Sequence, residues 1–454
     1  MRYSRFFAFI LTVCLLLPAL FGCAGGGDPV ATTSATDPVT QAVTDLVTEL
    51  ATEAATEAAT DPATEVATGP VTESATEAAT DPATEVATEP VTEAATDPAT
   101  DPATDPATEV VTEPPVPVFT TYSMSDNSGY IKMIGRSQFW KGSILCDWSA
   151  SGIEFAYTGS GNLNVVAESE AAKSIALVAV VDGKTKNVTI DEDGIGTYRI
   201  ASDLPEGEHH VLIRRKTMVE DSSVGGLLLR IKSIQMCGTF LPRPADNTYK
   251  IAFIGDRITC GVGIGKSGDG LATYAVDLCT REGFDYDICS ISGIGVERSS
   301  KRHGYSESNM TMFYPYYNYY RSETLRYLPE RKAGLVIVNL NTNDHNYGVE
   351  EEPYKENLRT LISEIRAAHG EDVKIVWIVG MMIASDSPVN EWLKQVFNGE
   401  YGGIRSGLYR LEVETNTEGE YSHPSQESHL AVSKALSDYL RKKRLLTLPT
   451  QIPD

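Results

Sequence analysis

The sequence has few basic residues and lacks the groupings of residues that nucleic acids and metal ions require. Its 38 Lys and Arg stand against 62 Asp and Glu, giving a net charge of −24. Nineteen of the acidic residues and no basic residue lie in residues 28–114, so the rest of the chain is only mildly acidic. Without a concentrated basic face, nucleic acid is excluded as a partner. Since no C-x-x-C or Cys/His metal spacing occurs, neither a metal nor another cofactor is expected.

Complete disulfide pairing is excluded as well. Five of the seven cysteines follow Cys23, and an odd number outside the cytoplasm cannot all pair within one chain. We predict that most of them are buried free thiols, and an alternative interpretation places Cys260 at a pocket. The five are Cys146, Cys237, Cys260, Cys279 and Cys289.

No apolar run in the sequence is long enough to indicate a membrane-spanning helix. The run at residues 6–20 is shorter than the roughly 20 residues of a transmembrane helix and follows two arginines, which is typical of a signal peptide. Next comes Leu-Phe-Gly-Cys at residues 20–23, which resembles a bacterial lipobox. Residues 1–23 therefore predict a secreted lipoprotein on the extracellular face of the cell membrane, held only by a lipid on Cys23. An ordinary cleaved signal peptide is the alternative.

Residues 24–118 contain no aromatic residue and predict a disordered linker. From residue 47 to residue 114 the tetrapeptide Ala/Val-Thr-Glu/Asp-x repeats 17 times, with one glycine exception. Such a sequence buries too little apolar surface to offset the entropy of ordering. An extended polyproline II conformation would let this stretch span on the order of 200 Å.

The remaining chain predicts two domains. Residues 119–243 contain short apolar or alternating runs separated by turn signals, which is typical of a β-sandwich or jelly roll. These runs are residues 153–157, 163–166, 175–181 and 210–213. Residues 244–454 alternate strands with helices, which favours an α/β sheet covered on both faces. Here the predicted strands are 250–255, 287–291, 334–340 and 373–379, and the clearest helices are 354–368 and 425–442.

Four motifs in this last region resemble those of the GDSL/SGNH ester hydrolases. Residues 255–259, Gly-Asp-Arg-Ile-Thr, match the nucleophile motif Gly-Asp-Ser-Ile-Thr at every position except the serine. Residues 292–295, 341–344 and 420–425 match the other three motifs in order. With a β-rich domain in front, the arrangement is similar to carbohydrate esterase family 2, whose members deacetylate plant glycans. The resemblance implies a flavodoxin-like three-layer SGNH fold.

The resemblance also implies roles for individual residues. His423 corresponds to the general base, Gly293 and Asn343 to oxyanion donors, and Arg257 to the nucleophile position. Taken singly, His423 is equally compatible with capping a helix, Gly293 with a tight turn and Asn343 with a loop contact. Arginine is permanently protonated and cannot be a nucleophile. Because loss of the serine from a Ser-His site costs about 10⁶ in turnover, the pattern predicts an impaired enzyme.

Other departures leave alternatives open. Thr259 or Ser292 is a possible replacement nucleophile. Asn341 stands where the family has glycine, and Glu420 where many relatives carry Asp, although the family often works as a dyad. Arg257 itself has two possible roles, pairing with a glycan carboxylate or locking the cleft through Asp344 or Glu420.

The aromatic cluster at residues 313–320 is the other candidate site. Tyr316, Tyr317 and Tyr319 are predicted to stack on sugar rings, although tyrosines also pack loops against a core. Trp377, within a strand, is predicted to be core. The preferred hypothesis is a non-catalytic surface protein that binds polysaccharide, such as an acetylated xylan. The alternatives are an active polysaccharide deacetylase with another nucleophile, and a structural or partner-binding surface protein.

Overall fold

The computed structural model describes residues 118–170, 174–191, 194–219, 228–299, 308–317, 323–384 and 386–446. These residues belong to one compact unit. Cys23, the predicted signal peptide and the predicted linker up to residue 117 lie outside the described residues. Within the described ranges, no helix combines the length and the apolar character needed to cross a membrane.

The first part of the described chain is an antiparallel sheet of nine strands. Its order is β3-β4-β9-β5-β8-β6-β7, with β1 paired to β9 and β2 paired to β5. The strands are β1 Thr120–Ser123, β2 Lys132–Ile134, β3 Gln138–Trp140, β4 Ser143–Leu145, β5 Gly152–Glu170, β6 Ile175–Val181, β7 Lys184–Ile190, β8 Gly194–Arg215 and β9 Leu228–Phe240, and a short helix, α1 Met124–Asn127, follows β1. The predicted β-rich character is confirmed, and the jelly-roll assignment stays a prediction.

Strand β5 joins two stretches that the sequence predicts as separate strands. Residues 153–157 and 163–166 both lie in β5, and the register shifts between Gly159 and Leu163. The prediction of a break was wrong because the glycines there form an irregularity within the strand rather than a turn. Gly159 also allows close approach of β9, since a Cβ atom on it would lie 2.0 Å from the carbonyl oxygen of Cys237.

His209 of β8 is held between hydrogen-bond acceptors on both ring nitrogens. Nδ1 lies 2.6 Å from Asp182 Oδ2, and Nε2 lies 2.9 Å from the carbonyl oxygen of Pro205. Burial alone would lower the pKa of His209, but these acceptors outweigh burial and raise it. The doubly protonated ring is therefore the form that the fold favours.

We expect Asp182→Asn to make the protein less stable at pH 6 by about 1 kcal/mol, and to cost progressively less towards pH 9. The folded pKa of His209 is raised, so the stability it contributes is present below its unfolded pKa and is lost as the pH rises through the folded value. Asp182 lies at a positive φ of 49°, which asparagine tolerates. Urea unfolding of both proteins across this range measures the difference, and a constant difference would contradict the prediction.

The second part is a parallel sheet of five strands with the order β11-β10-β12-β13-β14. Counted within this sheet the order is 2-1-3-4-5, as in flavodoxin-like folds. The strands are β10 Lys250–Gly255, β11 Asp285–Ser290, β12 Leu335–Asn339, β13 Lys374–Met381 and β14 Leu408–Thr415. The four predicted strands are confirmed as β10 to β13. The edge strand β14 was not predicted.

Helices cover both faces of the parallel sheet. They are α2 Arg257–Cys260, α3 Tyr274–Glu282, α4 Met310–Phe313, α5 Thr342–Asn346, α6 Glu351–His369, α7 Pro388–Lys394 and α8 Gln426–Lys442. Helices α3 and α8 pack on the face that carries Phe253 and Ile337. Helices α6 and α7 pack on the opposite face, which carries Ile254 and Trp377. The three layers and the core position of Trp377 are confirmed.

The two parts share backbone hydrogen bonds. The amide of Gly270 donates to the carbonyl of Lys216 at 3.0 Å, and the amide of Ser292 donates to the carbonyl of Val219 at 2.9 Å. Both acceptors lie just after β8, whereas both donors lie in loops of the parallel-sheet part. The chain that follows β8 therefore fixes the backbone of two loops in the other part.

Arg136 makes a second connection. It follows β2, is 1% exposed, and donates from its guanidinium to the carbonyl oxygens of Tyr314 and Tyr316. Its guanidinium carbon lies 3.6 Å from the ring centroid of Tyr327. A single buried cation thus anchors the start of the tyrosine-rich segment to the antiparallel part.

Candidate active site

The predicted nucleophile motif forms the turn from β10 into α2. Asp256 Oδ1 accepts a hydrogen bond from the amide of Ile258 at 2.9 Å and so caps α2. Only glycine fits at position 255, because a Cβ atom there would lie 2.0 Å from Thr259 Oγ1. Arg257 is consequently the first residue of α2, at the carboxyl edge of the sheet, where ligands bind in folds of this type.

His423 lies between a 3₁₀ turn, Glu420–Ser422, and helix α8. Its Nδ1 lies 2.7 Å from the carbonyl oxygen of Tyr421. A carbonyl only accepts, so Nδ1 carries the proton and Nε2 carries the lone pair. Nε2 is buried and has no hydrogen-bond partner among the described residues. Since α8 is capped by the Ser425 side chain, His423 does not serve as the helix cap.

The protonation of His423 depends on burial and on Arg257. Burial lowers its pKa, the carbonyl of Tyr421 opposes this, and the positive charge of Arg257 lowers the pKa further. The imidazole is therefore neutral at pH 7. The charge of Arg257 therefore acts electrostatically on the ring of His423.

The backbone carbonyl of Tyr421, rather than a third side chain, orients His423. Glu420 is exposed, and its amide donates to the carbonyl of Gly263 at 3.1 Å. A Cβ atom on Gly263 would lie 2.7 Å from His423 Cβ, so the loop after α2 packs directly on the histidine. The orientation of His423 thus comes from the carbonyl of Tyr421 rather than from the carboxylate of Glu420.

Asn343, in α5, contacts the nucleophile motif directly. Its Nδ2 donates to the carbonyl of Ile294 at 2.7 Å and to Asp256 Oδ2 at 3.2 Å. Both amide hydrogens are therefore in use, and an oxyanion role would require one bond to be exchanged. Burial raises the pKa of Asp256 to about 7, so this carboxyl is partly protonated near neutral pH. Gly293, the other predicted donor, is buried with a φ of 88° in the loop after β11.

Asp344 organises the loop that carries Gly293. Its carboxylate accepts backbone N–H groups from Val296 and Glu297, each at 2.8 Å, and from Arg298 at 3.3 Å. Burial raises the pKa of Asp344 to about 6, although the three amides oppose the change. Both of its oxygens are occupied, so Asp344 does not form the predicted lock with Arg257.

We expect Asp344→Asn to destabilise the protein by about 2–3 kcal/mol at pH 8, where the native carboxylate is ionised. The new NH₂ group would face backbone donors that now bond to a carboxylate oxygen. Asp277→Asn is the matched control, because Asp277 contacts Arg281 near the surface and should cost less than about 1 kcal/mol. If urea unfolding shows the same loss of stability for Asp344→Asn and Asp277→Asn, the charge of Asp344 does not hold the three amides.

Asn341 stands where the resembling family has glycine, and its backbone geometry is unusual. Asn341 has a φ of 96°, a region that favours glycine and that asparagine enters at lower cost than other residues. Its side chain accepts a hydrogen bond from the Tyr354 hydroxyl at 2.8 Å and donates to Asn390 at 3.0 Å. The turn therefore keeps its form without glycine.

None of the candidate replacement nucleophiles contacts His423 Nε2, which is without a partner. Thr259 is fully buried, with its hydroxyl 2.9 Å from that of Tyr274. Cys260 is also fully buried, and burial raises the pKa of its thiol to about 12, so it is core rather than a pocket residue. Ser292 is 6% exposed. The buried free thiols predicted for Cys146, Cys279 and Cys289 are observed.

The tyrosines lie elsewhere. Tyr317 lines a cavity of about 540 Å³ that also contains Lys250 and Asp285, the first residues of β10 and β11. This is the amino edge of the parallel sheet, opposite to the edge that holds Arg257. The backbone carbonyl of Tyr316 is bound by Arg136. Tyr319 lies outside the described residues. A sugar-stacking role for the three tyrosines stays a prediction, at a place separate from His423.

Two features of the site were not predicted from the motifs. One is the Tyr421 carbonyl behind His423, and the other is the bond between Asn343 and Asp256. The first has no sequence signal, because every residue carries a carbonyl. No cluster of three or more His, Cys, Asp or Glu able to hold a metal occurs in the described ranges.

Comparison with known proteins agrees with this geometry. Residues 253–403 match the GDSL-like Lipase/Acylhydrolase family. The chain is 25% identical over 319 residues to the cellulase/esterase CelE of Acetivibrio thermocellus, which covers 66% of this chain and 37% of CelE. The chain thus spans well under half the length of this relative.

Solved structures show the same fold. A family two carbohydrate esterase from Clostridium thermocellum, in complex with cellohexaose, is similar with a TM-score of 0.60 at 24% identity, covering 69% of this chain and 99% of that one. An acetyl xylan esterase from the rumen bacterium Butyrivibrio proteoclasticus has a TM-score of 0.62 at 18% identity, covering 72% and 99%. Residues 253–403 therefore form a GDSL-like lipase/acylhydrolase domain, within a fold closely similar to that of the family two carbohydrate esterases.

Proposed function

We propose that this protein resembles a carbohydrate O-acetylesterase in form but binds polysaccharide without hydrolysing its esters. The observation that carries the proposal is Arg257 at the first position of α2, together with a His423 whose Nε2 has no hydrogen-bond partner among the described residues. A histidine base without a nucleophile in reach cannot start acyl transfer. The cleft is left with groups suited to holding a ligand.

The similar structures support a glycan as the ligand. The Clostridium thermocellum esterase was solved with cellohexaose bound, and the Butyrivibrio proteoclasticus enzyme is an acetyl xylan esterase. A protein of the same fold that has lost only its nucleophile would still bind a glycan of this kind. We therefore propose a plant-type polysaccharide, such as acetylated xylan, as the partner.

Binding and hydrolysis should be measured on the same purified protein. We expect calorimetry to detect binding of cellohexaose or acetylated xylo-oligosaccharides, and we expect no acetate release from acetylated xylan. Acetate release that disappears in His423→Ala would establish the alternative of an active deacetylase. If none of these glycans binds, the protein is better explained as a partner-binding surface protein.

We also propose that a lipid on Cys23 and the repeat linker carry the described part away from the membrane on the extracellular face. The support is the lipobox-like sequence at residues 20–23 and the composition of residues 24–118, which are sequence features. Cys23→Ala should release the protein into the medium of expressing cells and abolish incorporation of labelled palmitate. Retention of this variant in the membrane fraction would contradict the anchor.

A further inference from the structure

Arg257 carries a positive charge that acts on the neighbouring Asp256 carboxyl, where it opposes the rise in pKa that burial causes. Arg257 is half-buried, its side chain forms no ion pair or hydrogen bond among the described residues, and its Nε is buried without a partner there. A buried donor on a charged group costs free energy when it is unsatisfied. Arg257 Nε is therefore a buried donor on a charged group that lacks an acceptor among the described residues.

The carboxylates around Arg257 are already committed. Asp344 bonds to three backbone amides, and Asp256 bonds to the amide of Ile258 and to Asn343. Glu420 is exposed and forms no ion pair with Arg257. The alternative in which Arg257 locks the cleft through Asp344 or Glu420 therefore lacks the contact it needs.

The second open group in the cleft has the opposite hydrogen-bonding character. His423 Nε2 is a buried acceptor that has no donor among the described residues, since its proton is on Nδ1. The loop that follows α2 packs on His423, since a Cβ atom on Gly263 would lie 2.7 Å from His423 Cβ, and the charge of Arg257 acts on the imidazole. A ligand that satisfies both must present an anionic acceptor to the guanidinium and a neutral donor, such as a hydroxyl, to the imidazole.

We propose that the cleft binds polysaccharides that carry uronic acid residues, with the sugar carboxylate on the Arg257 guanidinium and a neighbouring sugar hydroxyl donating to His423 Nε2. This deepens the proposed function and rests on it. A uronic acid places a carboxylate and hydroxyls on adjacent ring carbons, which matches the two open groups. Guanidinium binds carboxylate through paired N–H donors, and such charge-assisted bonds are about twice as strong as neutral ones.

The test compares ligands that differ only in the carboxylate. A glucuronic acid-substituted xylo-oligosaccharide is titrated into the purified protein beside the same oligosaccharide after reduction of its carboxyl to a primary alcohol. We expect the acidic form to bind roughly tenfold to hundredfold more tightly in low salt. The preference should narrow as NaCl is raised from about 50 to about 500 mM, because salt screens the charge.

Two variants assign the preference to Arg257. Arg257→Gln keeps a polar side chain, although a shorter one, and removes the charge, so it should bind both forms equally. Arg257→Lys keeps the charge without the planar donors and should retain part of the preference. Thermal unfolding checks that both variants are folded, and if the glutamine variant is not, the lysine variant and the salt series decide.

The outcomes separate this inference from the proposed function. Equal affinity of the wild type for the acidic and reduced forms overturns the uronic acid proposal and leaves polysaccharide binding in place. A preference for the acidic form that survives Arg257→Gln also overturns it. Failure to bind any form, cellohexaose included, overturns both. Free glucuronate as a further ligand shows whether the carboxylate alone is sufficient or whether the glycan chain is required.

Discussion

Arg257→Ser is expected to raise the ester hydrolase activity of this protein on the order of 10³-fold above the wild-type rate. The serine Oγ would stand at the first residue of α2, near a histidine that has its proton on Nδ1 and its lone pair on Nε2. A serine accounts for about 10⁶ of the rate in an intact Ser-His site. We divide this factor by about 10³, the larger cost of losing one oxyanion donor, because both hydrogens of Asn343 Nδ2 are already in use. Hydrolysis of 4-nitrophenyl acetate and acetate release from acetylated xylan measure the gain.

The controls for this experiment isolate the new nucleophile. Arg257→Ala removes the charge without adding a hydroxyl and should stay at the wild-type rate. The double variant Arg257→Ser, His423→Ala should lose the gain, because His423 is the base that the new serine would need. The idea of an intact site with a single missing group fails if the serine and alanine variants have the same rate. It also fails if the gain persists without His423.

Arg136→Ala should lower the free energy of unfolding by about 3–5 kcal/mol, which is the largest loss that we expect from substitution of one buried residue. The change leaves the carbonyls of Tyr314 and Tyr316 without their donor and removes the cation from the face of Tyr327. It also leaves a cavity where the two parts of the molecule meet. Urea unfolding followed by tryptophan fluorescence measures the loss, because Trp148 packs near this guanidinium.

Arg243→Ala is the matched control for this experiment. Arg243 lies in the segment that connects the two parts, is exposed, and pairs with Asp246 at 2.8 Å. Removing an exposed pair of this kind should cost less than about 1 kcal/mol. Similar losses for Arg136 and Arg243 would show that the buried cation contributes no more than a surface charge.

The parallel sheet was predictable because its strands are buried on both faces and so form continuous apolar runs. Residues 250–255 coincide with β10, and the prediction of 287–291 differs from β11 only at its ends. Strand β14 was missed because it lies at the edge of the sheet and alternates apolar with polar residues, as Leu-Tyr-Arg-Leu-Glu-Val-Glu-Thr. That alternation is a signal for a half-buried strand, and it was available in the sequence.

The antiparallel part was harder to predict. Strand β9 places the charged residues Arg230 and Lys232 next to the apolar residues Ile231 and Ile234. The charged residues interrupt the apolar run that would predict a strand, although the apolar side chains are buried. Strand β7 is polar at most positions because it lies at the end of the sheet order. Both were missed. Their burial depends on which strands pair with them across long stretches of sequence, and local patterns carry no information about that pairing.

The active-site motifs predicted which residues meet, but not how their polar atoms are used. The sequence order indicated that Arg257, Asn343 and His423 share one edge of the sheet, and the structure places them there. Which oxygen orients His423 depends on the backbone at Tyr421 and Ser422, both at a φ near 55°. Such conformations follow from the packing of the whole loop, which sequence motifs do not describe.

The backbone hydrogen bonds between the chain after β8 and the parallel-sheet part limit where this protein can be joined to another one by recombination. A crossover near residue 243 would join the parallel-sheet part to a foreign partner and separate the amides of Gly270 and Ser292 from the carbonyls of Lys216 and Val219. The loop that leads to Gly293 would then lose the acceptor that fixes its first residue. We expect chimeras made at this boundary to fold poorly or to misplace that loop, so that the two parts are inherited and engineered as one module.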